Sequence, residues 1–148
     1  MRVANAYGPG QRPAPGQAVL AHWMTAIKED RPVALLGDPS ATRDYVYIDY
    51  IAEAVVVAHS AAHANAPADS LAPAINIGSG RATTLEQLLG AVTAAVSPLE
   101  VQVERGQARA TDADHCVLDV SLAAKALGWV PRTELEDGVR RMWEWMNS

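Results

Sequence analysis

A single cysteine, Cys116, rules out an internal disulfide in this 148-residue chain. The fold therefore owes nothing to oxidation, and a cytoplasmic location is expected. Positive charge is scarce too. Twelve Lys and Arg stand against seventeen Asp and Glu, for a formal net charge of −5 and a pI near 5.3. That balance argues against a general nucleic-acid binder, which needs a basic face to neutralise phosphates. Long apolar runs are missing. The best candidate, residues 51–72, is broken by Glu53, His59, His63, Asn65, Pro67 and Asp69, short of the roughly 18 uninterrupted residues a membrane helix needs, so no membrane partner is expected. The opening MRVANAYGPGQRPAPG contains no continuous apolar stretch of the signal-peptide kind. No internal repeat is visible. What is present is a globular composition, 49% hydrophobic and 20% charged, at a length that suits one domain.

Along the chain, Gly8-Pro9-Gly10 is a strong turn signal, extended as a loop by Pro13, Pro15 and Gly16. Leu20, Trp23, Met24 and Ile27 then fall at helical spacing, and Pro32 stops that helix. Val33–Leu36 is expected as a short buried strand, and Arg43–Ile48 as a second strand. Asp49 is placed to cap a helix with Ile51, Val55 and Ala58 on one face. Residues 63–73 have the composition of a surface connection, and residues 74–77 that of a strand. Thr83 and Glu86 have capping-box spacing ahead of Leu85, Leu88, Leu89, Val92 and Val96. Residues 101–104 alternate like a strand, and 105–115 are polar loop. Asp119 is expected to cap a short helix ending at Gly128, and Thr133 with Glu136 to box the last helix, which presents Leu135, Val139, Met142 and Met146. Strands and helices interspersed in this way predict an α/β or α+β layer architecture.

Several segments resemble one family in order and spacing. Asn5-x-Tyr7-Gly8-Pro9-Gly10-Gln11, then Gly37-Asp38, Thr42-Arg43-Asp44-Tyr45-Val46-Tyr47-Ile48-Asp49, Asn76-Ile77-Gly78-Ser79-Gly80, Arg109-x-x-Asp112 with Asp119 beyond it, and Leu127-Gly128-Trp129-x-Pro131 are similar to consecutive blocks of the extended short-chain dehydrogenases. Among these the resemblance is to the sugar-nucleotide epimerases and dehydratases typified by UDP-glucose 4-epimerase. It covers nearly the whole chain. It implies an α/β fold made of the last strands of a Rossmann-type sheet plus a small mixed α/β substrate-binding domain. Residues 1–148 would be the substrate-binding C-terminal portion of such an enzyme, without its N-terminal dinucleotide-binding domain.

The comparison of motifs also marks what is missing. There is no G-x-x-G-x-x-G turn to bring backbone N–H groups against the pyrophosphate of NAD. The four tyrosines have Gln11, Asp49, Ile51 and Ala54 four residues on, so no Tyr-x-x-x-Lys pair exists. No catalytic residue is therefore assigned, and NAD, the cofactor of the complete family enzyme, is not expected to bind this chain alone. The partner implied is a nucleotide-sugar such as a UDP-hexose, with a second copy or a separate N-terminal half completing the molecule. A non-enzymatic nucleotide-sugar-binding module is the alternative.

The resemblance assigns Arg43 and Arg109 to the pyrophosphate, a role that suits forked guanidinium donors. It gives Asp112 the ribose hydroxyls and Asn5 a substrate oxygen, and it puts Tyr7, Gly8 and Pro9 along the approach to the nicotinamide. Against these stand ordinary structural roles: a surface ion pair for either arginine, a loop-capping Asp112, and an Asn5 that satisfies nearby backbone. No metal site is expected. His59 and His63 are one helical turn apart but lack a third ligand, and Cys116 beside His115 is expected to be a buried thiol and not half of a catalytic pair. The helix faces look suited to a larger parallel sheet than this chain encodes, so marginal stability or association is expected.

Overall fold

The computed structural model describes residues 1–65, 74–108 and 113–148, with the backbone alone for 62–65. Its first strand bends at Ala4 and so serves two neighbours. β1 (Arg2–Val3) pairs in parallel with β6 (Asn76–Ile77), Arg2 opposite Asn76. β2 (Asn5–Tyr7) pairs in parallel with β5 (Tyr45–Tyr47), Asn5 opposite Tyr45 and Tyr7 opposite Tyr47. Parallel pairing requires crossovers, here α1 (Val19–Lys28) and α2 (Ile48–Asn65). A third parallel pair joins β3 (Val33–Leu36) to β8 (Val103–Gly106). A three-stranded ribbon places β4 (Thr42–Arg43) between antiparallel β7 (Thr83–Thr84) and parallel β9 (His115–Cys116). The remaining helices are α3 (Leu85–Val96), α4 (Ser121–Leu127) and α5 (Leu135–Met146).

Side chains on β5 alternate between two cores, as the period of a strand requires. Tyr45 and Tyr47 enter the larger one with Tyr7, where Leu20, Trp23 and Met24 of α1 meet Leu88 and Val92 of α3 and Val139 and Met142 of α5. Val46 enters the smaller one with Ala54, Ile77, Ala123 and Trp129. Each core holds an indole whose N–H has a partner: Trp23 Nε1 donates to the Ala34 carbonyl at 2.8 Å and Trp129 Nε1 to that of Tyr50 at 3.1 Å. The Tyr7 ring lies edge-on to Tyr45 and Tyr47, and α5 comes so close to it that a Cβ at Gly138 would sit 2.8 Å from its Cζ.

Several sequence expectations are corrected. The strand over 43–48 is two, β4 and β5, interrupted at Asp44, and α2 already begins at Ile48, so Asp49 lies in its first turn instead of capping it. On that helix Ala54 is the buried residue, while Val55 is 49% exposed. β3 is buried on one face only. The strand expected at 101–104 begins at Val103 and continues to Gly106, with its residues exposed, into what had the composition of loop. The capping box of α3 is Thr84 with Gln87, not Thr83 with Glu86, and both reciprocal bonds are made. The box at Thr133 and Glu136 does not form, and Glu134 stands at the N-cap of α5 without a side-chain cap bond. Asp119 accepts from the Ser121 N–H at 2.9 Å, but Val120 occupies the N-cap position of α4. Cys116 is exposed on β9, not buried. The strand expected from residue 74 is confined to Asn76–Ile77, and of the connection at 63–73 residues 66–73 lie outside the described residues.

Candidate functional site

Asp44, flanked by Arg43 and Tyr45, is the one fully buried charged residue among those described. It stays tolerable there because its oxygens meet donors from two distant segments. Oδ1 accepts from the Ser79 N–H at 2.7 Å and the Ser79 hydroxyl at 2.6 Å, and Oδ2 from Gly80 N–H at 3.1 Å and Leu118 N–H at 3.3 Å. A Cβ at Gly78 would lie 3.1 Å from Asp44 Cγ, so the turn after β6 must carry glycine for the carboxylate to come this close. Asp44 thereby fixes the β4–β5 junction on which Arg43 and Tyr45 are presented.

Arg43 occupies the middle of the three-stranded ribbon, directly opposite Thr83 on β7 and Cys116 on β9. Its Nη1 donates to the Thr42 carbonyl at 2.9 Å, a local bond that leaves the other guanidinium donors free of partners among the described residues. Asn5 stands on the neighbouring strand beside Tyr45, and its Nδ2 donates to the Asp44 carbonyl at 3.0 Å. This is the backbone-satisfying role weighed for it, and one amide N–H and Oδ1 remain available. Tyr7 is turned into the core with its hydroxyl 3.5 Å from the Leu135 carbonyl. Gly8 is buried at a φ of +138°, with Ile48 where a side chain would begin, and Pro9 is half-buried beside it. Arg109 and Asp112 lie outside the described residues. Of the described residues that flank them, one side adjoins the end of the β3–β8 pair and the other the ribbon. Ala108 abuts Gly37, and the Asp114 carbonyl accepts from the Thr42 N–H at 3.0 Å.

A cleft of about 380 Å³ opens between the ribbon and the connection leading into α5. Tyr7, Tyr45, Thr83, Arg81 and Glu134 are among the residues that line it. Arg81 and Glu134 pair across its rim through both guanidinium nitrogens, the longer contact being 3.1 Å. That pairing, first by hydrogen bond and then by charge, holds the Glu134 carboxyl below its ordinary pKa. Burial pushes the Tyr45 hydroxyl up to about 12, only partly offset by the charge of Arg43. Tyr7 is raised further, chiefly by burial and then by the neighbouring Tyr47. Sequence reasoning assigned no binding role to Tyr45, Arg81 or Glu134. Nothing local marks them, since they meet only after the chain has folded. Among the described residues no group of three His, Cys, Asp or Glu side chains is arranged to hold a metal, and no helix is long and apolar enough to cross a membrane. The side chain of His63 lies outside the described residues.

Residues 1–142 match the family model described as GDP-mannose 4,6 dehydratase. The chain is 34% identical over 148 residues to the dTDP-L-rhamnose 4-epimerase of Burkholderia thailandensis, which covers 99% of this chain and 39% of that protein. In three dimensions it is similar to the UDP-glucose 4-epimerase of Thermotoga maritima solved with UDP-glucose, at 29% identity and a TM-score of 0.81, covering 99% of this chain and 44% of that one. The UDP-glucose 4-epimerase of Thermus thermophilus, solved with NAD, gives 29% identity and a TM-score of 0.82 over 99% of this chain and 45% of its own. The chain thus spans less than half the length of the relatives it matches, and its mixed α/β architecture is part of theirs.

Proposed function

Because the chain belongs to the GDP-mannose 4,6 dehydratase family and the relatives described above are nucleotide-sugar 4-epimerases, we propose that it is the nucleotide-sugar-binding part of an NAD-dependent epimerase of the UDP-glucose 4-epimerase kind, or of a dehydratase. The observation that carries this is the position of Arg43: in the middle of the ribbon, directly opposite Thr83, which lines the open cleft, with Asn5 and Tyr45 on adjoining strands. Arg43 and Arg109 grip the diphosphate, each able to offer two parallel N–H donors. Asp112, acceptor-only when ionised, takes the ribose hydroxyls. Asn5 offers its remaining amide N–H to a phosphate or hexose oxygen.

Residues 1–148 contain neither a G-x-x-G-x-x-G turn nor a Tyr-x-x-x-Lys pair, so they do not fit a dinucleotide and no proton or hydride step is assigned to them. Tyr7, Gly8 and Pro9 contribute the shape of the turn that faces a nicotinamide in the complete enzyme, Tyr7 from within the core. The chain alone is expected to be inactive. Among the described residues β1 pairs with β6 only, an edge open to completion by a separate N-terminal half or by a second copy of the chain, as against a self-sufficient binding module. The free Cys116 fits a reducing compartment such as the cytoplasm.

Calorimetry of the purified chain with UDP-glucose tests the binding role. Micromolar binding that Arg43→Ala abolishes is expected, and no binding would overturn it. Turnover of UDP-glucose with NAD and no second chain would overturn the assignment of a binding part only.

A further inference from the structure

We propose that a cavity at the C-terminal end of α5 binds a small planar aromatic molecule that carries a negative charge and an N–H donor. The cavity has a volume of about 420 Å³, within the range of small-molecule sites. It lies among Gln11, Arg12 and Pro13 of the loop after β2, Thr25 of α1, and Trp145 and Met146 of α5. None of these residues lines the cleft near Arg43, so the site is distinct from the nucleotide-sugar site. The loop is tied down at both ends. The Gln11 N–H donates to the Gly8 carbonyl at 3.2 Å, and His22 Nε2 donates to that of Ala14 at 2.9 Å. A site ordered in advance loses less entropy when a guest arrives.

Three observations define the guest. The first concerns the ring. Trp145 is 45% exposed, and with Pro13 and Met146 it gives the cavity an indole, a flat pyrrolidine and a thioether, groups that pack well on an aromatic face. The second concerns charge. Arg12 is the one charged side chain in the lining, and it makes no ion pair among the described residues. Its guanidinium suits a carboxylate. Bare carbonyls at a helix C-terminus would oppose an anion, but those of α5 are occupied. The Met146 carbonyl accepts from Lys28 Nζ, that of Trp145 from the Ser148 hydroxyl at 2.8 Å, and that of Trp143 from Asn147 Nδ2 at 2.8 Å. Lys28 thereby adds a second cation nearby. The third observation is Gln11 Oε1, the one buried side-chain N or O atom without a hydrogen-bond partner among the described residues. Gln11 Nε2 donates to the Ala6 carbonyl at 2.6 Å, which fixes the other end of the amide as the acceptor. A buried acceptor left in that state is costly until a donor reaches it, and an N–H on a guest beside Gln11 supplies one.

The test is an NMR titration of the nitrogen-15-labelled chain with 4-aminobenzoate, which joins a ring, a carboxylate and an N–H donor. The indole N–H signal of Trp145 is expected to shift, with a dissociation constant below about 1 mM. The signals of Trp23 and Trp129, whose N–H groups are bonded inside the two cores, should stay in place. Benzoate, which lacks the N–H, and 4-aminobenzyl alcohol, which lacks the charge, are each expected to bind about fivefold more weakly, the scale of one hydrogen bond or one exposed charged contact. Arg12→Met, a change on an exposed side chain, should lower the affinity for 4-aminobenzoate to that for the alcohol. A Trp145 signal that does not move, equal affinity for the three compounds, or an Arg12→Met chain that binds as wild type does would each overturn the proposal. So would displacement of 4-aminobenzoate by UDP-glucose, since the two sites would then be one.

Discussion

Asp44 carries more of the molecule than its neighbours Arg43 and Tyr45, because it gathers donors from the turn after β6 and from the segment ahead of α4 onto one carboxylate. Asp44→Asn would replace one acceptor oxygen with an N–H group pointing at N–H groups. A loss of about 3 kcal/mol is expected from stranding buried donors, measured by urea denaturation of the two proteins. The tyrosines set the alkaline limit. Tyr45, at about 12 against an ordinary 10.0, and Tyr7, raised in the same direction, both hold their protons more tightly when folded. Their contribution is therefore complete below pH 10 and is lost as pH rises through 10 and beyond. Denaturation curves across that window should show falling stability, with a shallower fall in Tyr45→Phe. The sequence made Arg43 and Asn5 visible, because the residues around them have a familiar order. It could not disclose the reach of Asp44, whose partners Ser79 and Leu118 lie far along the chain. Nor did it disclose the exposure of Cys116, which depends on β9 lying next to β4 with no layer above it among the described residues.

At the scale of elements, α1, α3 and α5 were legible because their apolar residues repeat at helical spacing and the same residues are buried. Their ends were less so. Thr83 and Thr84 are both competent caps, and the choice falls to Thr84 because Thr83 is paired with Arg43 in the ribbon while Gln87 reaches back to the Thr84 N–H at 2.9 Å. Replacing Thr84 by Ala should cost about 1 kcal/mol, read as a lower melting temperature with nucleotide-sugar affinity unchanged. Strands of two to four residues are too short for alternation to fix their limits. Their bounds are set by partners elsewhere, which is why β8 extends into polar sequence and why one apparent strand divides at Asp44.

For the whole molecule, the notable surface is the parallel pair β1–β6. Parallel sheets are ordinarily covered on both faces, yet Val3 is 44% exposed and β1 has one described neighbour. Association through this edge is expected, and sedimentation velocity should show a concentration-dependent larger species that Val3→Lys suppresses. The same topology governs how the chain reaches its fold. Arg2 waits for Asn76, Val33 for Val103, and Thr42 for His115, while of the strand pairs described only β2 and β5 meet within residues 1–74. Folding dominated by such distant pairings is slow, on the scale of milliseconds to seconds, and β1 stays unpaired until β6 has been made. Yield in a cell will therefore follow chaperone supply and growth temperature more closely than it follows the strength of any single contact.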